Sequence, residues 1–369
     1  MRRRTILFIL AFSGFSLAGL ASCSNFDYYA QCVSGHVDVM RRCRPIPQVI
    51  EDPDTRPELK KQLQTILEIR DFASRELRLP ENGSYRSYAD LERPYVVWNV
   101  VAAPEFSLEP LQWCFPVAGC VAYRGYFKRE EAERFADGLR AAGHDVTVYG
   151  VAAYSTLNWF DDPVLNTFCN RPEPNLAGLI FHELAHQRLY VKGDSGFNEA
   201  FAKTVELEGV ARWLASRGEG EGHGAYLAEF HREEQFIETV LEYREKLKEL
   251  YARPLPFQQK RARKQEIYDE MRSAYDQLKS SWGGSHGYDR WFGEGLNNAR
   301  LVSISTYRVL VPAFRELLGR AGGDLEAFYT EAAKLGKLPV DSRGEALDEL
   351  TRAATLLPVG MLEGEPGPL

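Results

Sequence analysis

Two histidines four positions apart, His182 and His186, flank an acid, Glu183, inside an apolar run, and this feature constrains the fold more than any other. On a helix, residues at i and i+4 project from one face about 6 Å apart, so both imidazoles can share one tetrahedral cation. Leu176, Leu179, Ile180, Leu184 and Leu189 supply an apolar helical face, which predicts a buried helix from Leu176 to about Tyr190. Polar side chains in such a setting are costly unless a metal or a hydrogen-bond partner satisfies them. The turn cluster Gly193-Asp194-Ser195-Gly196 is followed by Phe197, Phe201, Val205 and Trp213 at helical spacing, which predicts a second helix. Glu199 falls in its first turn, thirteen positions beyond His186. Catalytic metal sites use three protein ligands and leave a position for water. His182, His186 and Glu199 therefore form the expected ligand set for one zinc ion, and Glu183 is the expected general base. Glu206, two turns further on, is placed to orient a ligand histidine. The competing reading is a histidine pair satisfied by backbone or carboxylate, with Glu199 a favourable acid at a helix N-terminus.

His182-Glu183-x-x-His186 with Asn198-Glu199-x-Phe201-Ala202-x-x-x-Glu206 resembles the gluzincin metallopeptidases, in which two histidines and a glutamate of an N-E-x-F-A helix bind zinc. A closer resemblance covers most of the chain, to bacterial lipoproteins described as putative aminopeptidases. It is carried by Arg93-Pro94-Tyr95-Val96-Val97-Trp98-Asn99-Val100, Trp113-Cys114-Phe115-Pro116-Val117-Ala118-Gly119-Cys120, Tyr123-Arg124-Gly125-Tyr126-Phe127, Ala153-Tyr154-Ser155-Thr156-Leu157 and Phe160-Asp161-Asp162-Pro163-Val164-Leu165. The resemblance implies a zinc peptidase with His182, His186 and Glu199 as metal ligands and Glu183 as the base. Well-studied zinc aminopeptidases hold the substrate amine with a glutamate in a Gly-Ala-Met-Glu-Asn segment, and no Gly-x-Met-x-Asn occurs here. Peptide-bond hydrolysis is thus better supported than aminopeptidase specificity. Such chemistry also needs a partner for the tetrahedral oxyanion. Tyr288, His286 and Tyr307 are the candidates, because Gly283-Gly284-Ser285-His286-Gly287 can form a loop reaching the site.

The N-terminus bears on where this chemistry takes place. Arg2-Arg3-Arg4 is a basic segment, Ile6 to Leu17 an apolar one too short to span a bilayer, and Leu20-Ala21-Ser22-Cys23 ends it. Leu-Ala-Ser-Cys resembles the bacterial lipobox, which implies a signal peptide over 1–22, lipidation of Cys23 and a membrane anchor. Ser24 after it resembles signals sent to the outer membrane, facing the periplasm. The alternative is an ordinary secretory signal with Cys23 in a disulfide. In an oxidising compartment Cys114 and Cys120 form the favoured bridge, and Cys32 with Cys43 is a further possibility. The net charge of −7 argues against a nucleic-acid partner. The basic run from Gln259 to Lys264 reads as a solvated helix face.

Along the chain the pattern predicts an α+β, zincin-like body: an N-terminal α+β part over 23–150, a metal-binding catalytic core over 151–217 and a helical part over 218–369. Thr55-x-x-Glu58 reads as a capping box before a helix striped by Leu59, Leu63, Ile66 and Ile69. Strands are expected over Tyr95 to Val101, Val117 to Tyr126 and Asp145 to Val151, with a helix from Lys128 to Ala142 closed by Gly143. This small mixed sheet is expected to pack on the two metal helices. Ala153 to Asn175 reads as a surface connection rich in turn residues, the alternative being that it lines the cleft or supplies an acid for a substrate amine from a stretch carrying Asp161 and Asp162. Gly218 to Gly222 reads as a flexible break, followed by an αα-hairpin of Ala225 to Tyr251 and Phe257 to Ser280. Two other functions fit the same residues: a non-catalytic zinc-bearing envelope scaffold or chaperone, and a zinc amidase acting on cell-wall peptides. Manganese, cobalt or iron suit a similar ligand set.

Overall fold

The structure, a computed structural model, describes residues 27–115, 119–153, 155–156, 159–218, 220–284, 287–304 and 310–356. It is a mixed α+β fold, mainly helical with small sheets. Helix α1 covers 27–41, and strand β1 (Arg44–Pro45) leads into α2 (Ile46–Glu51) and α3 (Pro57–Arg75). The strands β2 (Ser87–Ala89), β3 (Val97–Pro104), β4 (Trp113–Phe115), β5 (Gly119–Val121) and β6 (Arg124–Tyr126) precede α4 (Arg129–Ala141), β7 (His144–Val151) and β8 (Val164–Leu165). Helices α5 (Glu173–Arg188), α6 (Ser195–Arg217), α7 (Gly220–Ala252) and α8 (Phe257–Ser281) follow. The chain then runs through the short α9 (Asp289–Gly293) and α10 (Asn298–Val302) into α11 (Val311–Arg320), α12 (Leu325–Gly336) and α13 (Val340–Leu356). Among the described residues no helix is long and apolar enough to cross a membrane.

Among the described residues three hydrophobic cores organise these elements. The largest gathers Leu63, Ile66 and Ile69 of α3, Leu176, Ile180 and Phe181 of α5, Phe197 and Phe201 of α6, and Phe314 and Phe328 of the C-terminal helices. Complete burial of each such side chain contributes about 1.5–3 kcal/mol. Phe181, Phe197, Phe201, Phe314 and Phe328 are all fully buried, so this core anchors the metal-motif helices. A second core joins α7 and α8 through Phe236, Val240, Leu247, Tyr268, Met271 and Tyr275. The third lies under the antiparallel sheet β6-β3-β7, where Val100, Ala102, Tyr126 and Val146 meet Ala132 and Ala136 of α4.

This arrangement corrects the expectation that the sheet packs on the metal-motif helices. Its alternating apolar residues are taken up by α4, and α5 and α6 share their core instead with α3 and with β2 and β8. The strand expected over 117–126 is two strands. Cys114 and Cys120 face each other across a β4-β5 hairpin and are joined by a disulfide, while β6 pairs separately with β3. Cys32 and Cys43 are free thiols.

Several local expectations also change. The capping position of α3 is Arg56 and no side chain caps it, so Thr55 and Glu58 form no capping box; Pro57 opens the first turn, where its missing N–H costs nothing. Gly218 is no flexible break. It is the left-handed residue (φ 73°) that closes α6, and α7 has begun by Gly220. Pro254 and Pro256 do end one long helix and open the next. The basic run of α8 is only partly solvated: Lys264 is buried, donating to Asp145 Oδ2 and to the Glu105 carbonyl, each at 2.7 Å.

A candidate metal and catalytic site

Helix α5 starts on two prolines, Pro172 before it and Pro174 in its first turn, and stops at Leu189, whose backbone is extended. Its last residue, Arg188, falls two short of the expected end near Tyr190, and His186 lies in its last turn. Buried residues lie all round it, Leu176, Ala177, Ile180, Phe181, Leu184 and Ala185, so its histidines sit in the interior of the protein. Asp194 caps α6, accepting from the Phe197 N–H at 2.9 Å, and is held by Arg343 Nε of α13 at 2.9 Å. Asn198 fixes the turn between the two helices. Its buried amide accepts from the Val191 N–H at 2.7 Å and donates to the Val191 carbonyl at 2.8 Å. Replacing Asn198 by Ala removes both bonds and should lower stability by about 2–3 kcal/mol. Chemical denaturation of Asn198→Ala checks this, and an unchanged midpoint would show that the turn holds without it.

Glycines bring the helices close. A Cβ on Gly178 would lie 2.7 Å from the Tyr226 hydroxyl and 3.3 Å from the Glu206 side chain, and one on Gly209 would lie 2.7 Å from Phe181. Without side chains at these two positions, α6 and α7 approach α5 near enough for the ionisable groups to meet.

They meet at His182, His186 and Glu199. His182 Nε2 lies 3.2 Å from His186 Nε2 and 3.3 Å from Glu199 Oε2, and His186 Nε2 lies 3.6 Å from Glu199 Oε1. One donor atom from each residue falls within 4.8 Å of the others, a group that could hold a metal ion. Donors set at 2.0–2.1 Å around a tetrahedral centre are spaced about 3.3 Å apart, close to the separations found here. Two imidazole nitrogens and one carboxylate at this spacing can direct three lone pairs at one point. The donor set therefore fits a divalent cation with histidine and carboxylate ligands.

The surroundings fix the charge on each group. Burial and the neighbouring His182 push His186 down to about 4, which keeps it neutral and able to ligate. Burial opposes charge on His182, but the carboxylates of Glu199 and Glu206 outweigh it and raise the ring to about 10, so a cation bound here would have to displace a proton from this ring. Burial likewise acts against Glu199, and the two histidines overcome it and hold the carboxyl below its ordinary range. Glu206 Oε2 sits 3.0 Å from His182 Nδ1. Its carboxylate also accepts from Lys203 Nζ and, at 2.6 Å, from the Tyr226 hydroxyl. Burial would raise Glu206; Lys203 and His182 prevail and hold it at about 2. A carboxylate so held fixes the orientation of the His182 ring and leaves Nε2 turned towards His186 and Glu199.

Glu183 stands apart from this ligand cluster. Burial lifts its carboxyl to about 7, with His182 opposing the rise and Glu199 and Asp162 adding to it. Tyr85 and Asp162 pack near it, both buried. Tyr85 has a left-handed backbone (φ 62°), rare for a bulky residue and tolerated where the surroundings impose it. Fully buried Arg70 imposes it, donating to the carbonyls of Ser84 at 2.8 Å, Pro80 at 2.7 Å and Asn82 at 3.2 Å. Burial pushes the Tyr85 hydroxyl well above its usual value, and the charges of Glu183 and Asp162 add to this. Neither residue was expected beside the base. Only the Asn82-Gly83-Ser84 turn composition hinted at an unusual backbone.

Two adjoining cavities open onto the cluster. One, about 440 Å³, is lined by His182, Glu183, Lys203, Tyr226, Glu229 and Glu233 among others. The second, about 370 Å³, runs from His182 and Glu199 past Glu233 to Phe236, Ile237, Trp291 and Ile304. Tyr288 lines both, stacked on Phe236 at 3.9 Å. His286 and Tyr307, the other expected oxyanion partners, lie outside the described residues, as do Cys23 and Tyr154. Asp161 and Asp162 are absent from the lining of both cavities. The Asp162 carboxylate instead accepts from the Thr156 N–H, the Thr156 hydroxyl and the Ser155 hydroxyl, fixing its own loop.

A family model described as "Putative aminopeptidase" matches residues 27–347. The chain belongs to that family. An aminopeptidase family implies a peptide substrate, and in this member the matched span contains both metal-motif helices and every residue lining the two cavities. No curated protein and no solved structure matches the chain.

Proposed function

We propose that this aminopeptidase-family protein is an exported, lipid-anchored zinc peptidase that hydrolyses peptide bonds, with His182, His186 and Glu199 as metal ligands and Glu183 as general base. The carrying observation is the convergence of two imidazoles and one carboxylate from adjacent helices beside a half-buried acid outside the ligand set. His182, His186 and Glu199 would hold the zinc ion, which would supply Lewis acidity, lowering the pKa of a water towards about 7 and polarising a carbonyl. Glu183, with its carboxyl poised at about 7, takes the proton of the attacking water and returns it to the leaving amine. Glu206 keeps His182 in one tautomer and one orientation throughout. Tyr288, in the wall of both cavities, is the described candidate for steadying charge on the carbonyl oxygen. Anchorage through Cys23, at the outer membrane facing the periplasm, rests on the Leu20-Ala21-Ser22-Cys23 segment.

Metal analysis of the purified protein should find about one zinc per chain, and His182→Ala should lose it. Hydrolysis of a peptide library should stop on chelation and return on adding zinc. Full hydrolysis in the presence of chelator would overturn the proposal.

A further inference from the structure

A helix on the surface of a water-soluble body turns its apolar residues inward and its polar ones outward. Helix α1 keeps only the first half of that rule. Tyr28 and Val39 are buried on its inner side, yet its exposed side carries Tyr29, Ala30, Val33, Ser34 and Val37. Among its exposed residues charge falls only on Asp27 and Arg41, at the two ends. Tyr29, Val33 and Val37 succeed one another at four-residue spacing and so form a single stripe.

A second element widens this apolar face. The Phe160 ring packs on His36 of α1, with ring centroids 4.6 Å apart. Phe160 and its neighbour Trp159 are both exposed, Trp159 by 72%. Backbone bonds hold them in place: the Trp159 N–H donates to the Thr156 carbonyl and the Phe160 N–H to the Thr156 hydroxyl, each at 3.1 Å. Thr156 is itself fastened to the buried Asp162 carboxylate. Apolar surface gathered and fixed in this way marks a place where something docks.

The position of α1 in the chain decides what that is. Helix α1 begins at Asp27, four residues beyond Cys23, and four extended residues reach at most about 14 Å. An acylated Cys23 therefore sets this helix at the bilayer surface. Aromatic and aliphatic side chains with little charge among them suit the headgroup boundary, where Trp and Tyr are favoured.

We infer that the outward face of α1, with Trp159 and Phe160, docks into the headgroup region of the anchoring membrane and fixes the orientation of the protein upon it. The inference rests on the lipid-anchor part of the proposed function and goes beyond it, since an anchor alone tethers the chain without orienting it.

Quenching of tryptophan fluorescence by bromolipid tests the docking. Protein isolated from membranes is reconstituted into vesicles of phosphatidylethanolamine and phosphatidylglycerol, with and without a brominated phospholipid that quenches only at short range. The wild type should be quenched, and Trp159→Phe should lose about half or more of that quenching. The double variant Val33→Glu, Val37→Glu should reduce it at least about twofold while Trp159 remains, because two carboxylates lift the face away from the acyl region. All three positions are exposed, so the fold should be kept. Bromolipid quenching that is unchanged in Trp159→Phe or in the double variant would overturn the inference. So would a dimer in vesicle-free solution with Trp159 shielded from acrylamide, which would give the face to a second copy of the chain. The intact mass reads the anchor separately. Acylated protein without Trp159-dependent quenching would sink the docking and leave the anchor standing; Trp159-dependent quenching in protein with no acyl mass would support the docking and overturn the anchor.

Discussion

Glu183→Gln should lower kcat by about 10²- to 10⁴-fold while zinc content stays at the wild-type level. Glutamine keeps the shape and the burial of the side chain but cannot accept the proton of the attacking water. The ligand atoms of His182, His186 and Glu199 do not involve Glu183, so the metal cluster should survive. Turnover of a free-amine peptide, measured beside metal content, separates the two effects. An unaltered kcat would remove Glu183 from the chemistry and favour a scaffold function for the ligand cluster; loss of metal along with turnover would make the residue structural.

The second large effect is expected at Glu206. Removing its carboxylate by Glu206→Ala leaves Lys203 Nζ, the Tyr226 hydroxyl and His182 Nδ1 without their shared acceptor in a buried setting. Stranding a buried charge in this way costs about 3–5 kcal/mol, and loss of the group orienting a ligand histidine lowers metal affinity by about 10- to 100-fold. Its pH signature has a definite sign. The folded carboxyl is held at about 2, below its ordinary 4.5, so its stabilisation is fully present above pH 4.5 and disappears as the pH falls towards 2. Such a shift corresponds to something on the order of 3 kcal/mol. Denaturation of the wild type should therefore show a steep loss across that window, and Glu206→Gln a flatter one. Parallel curves would assign the acid sensitivity to other carboxylates.

What could be read from residue order follows the range of the forces concerned. The spacing of His182, His186 and Glu199, the turn at Gly193 to Gly196 and the closure of a helix by Gly143 are local, and each appears in the structure near its expected position. The Cys114–Cys120 disulfide belongs with them, since six positions and a turn bring the thiols together. The left-handed Tyr85 does not, because it depends on Arg70 satisfying carbonyls ten to fourteen residues away. The cavity face of α7 was invisible for a related reason: Phe236 and Ile237 read as core, and only the tertiary arrangement shows them lining a cavity. The apolar alternation of β3 and β7 announced a sheet but could not say which helix would cover it.

Helix α7 belongs to two cores at once. Near its start Tyr226 and Phe230 are embedded in the same core as the metal-motif helices, and from Phe236 onward it is embedded with α8. A rod clamped at two places resists bending between them, so the cavity wall that it carries is held at a fixed distance from both cores.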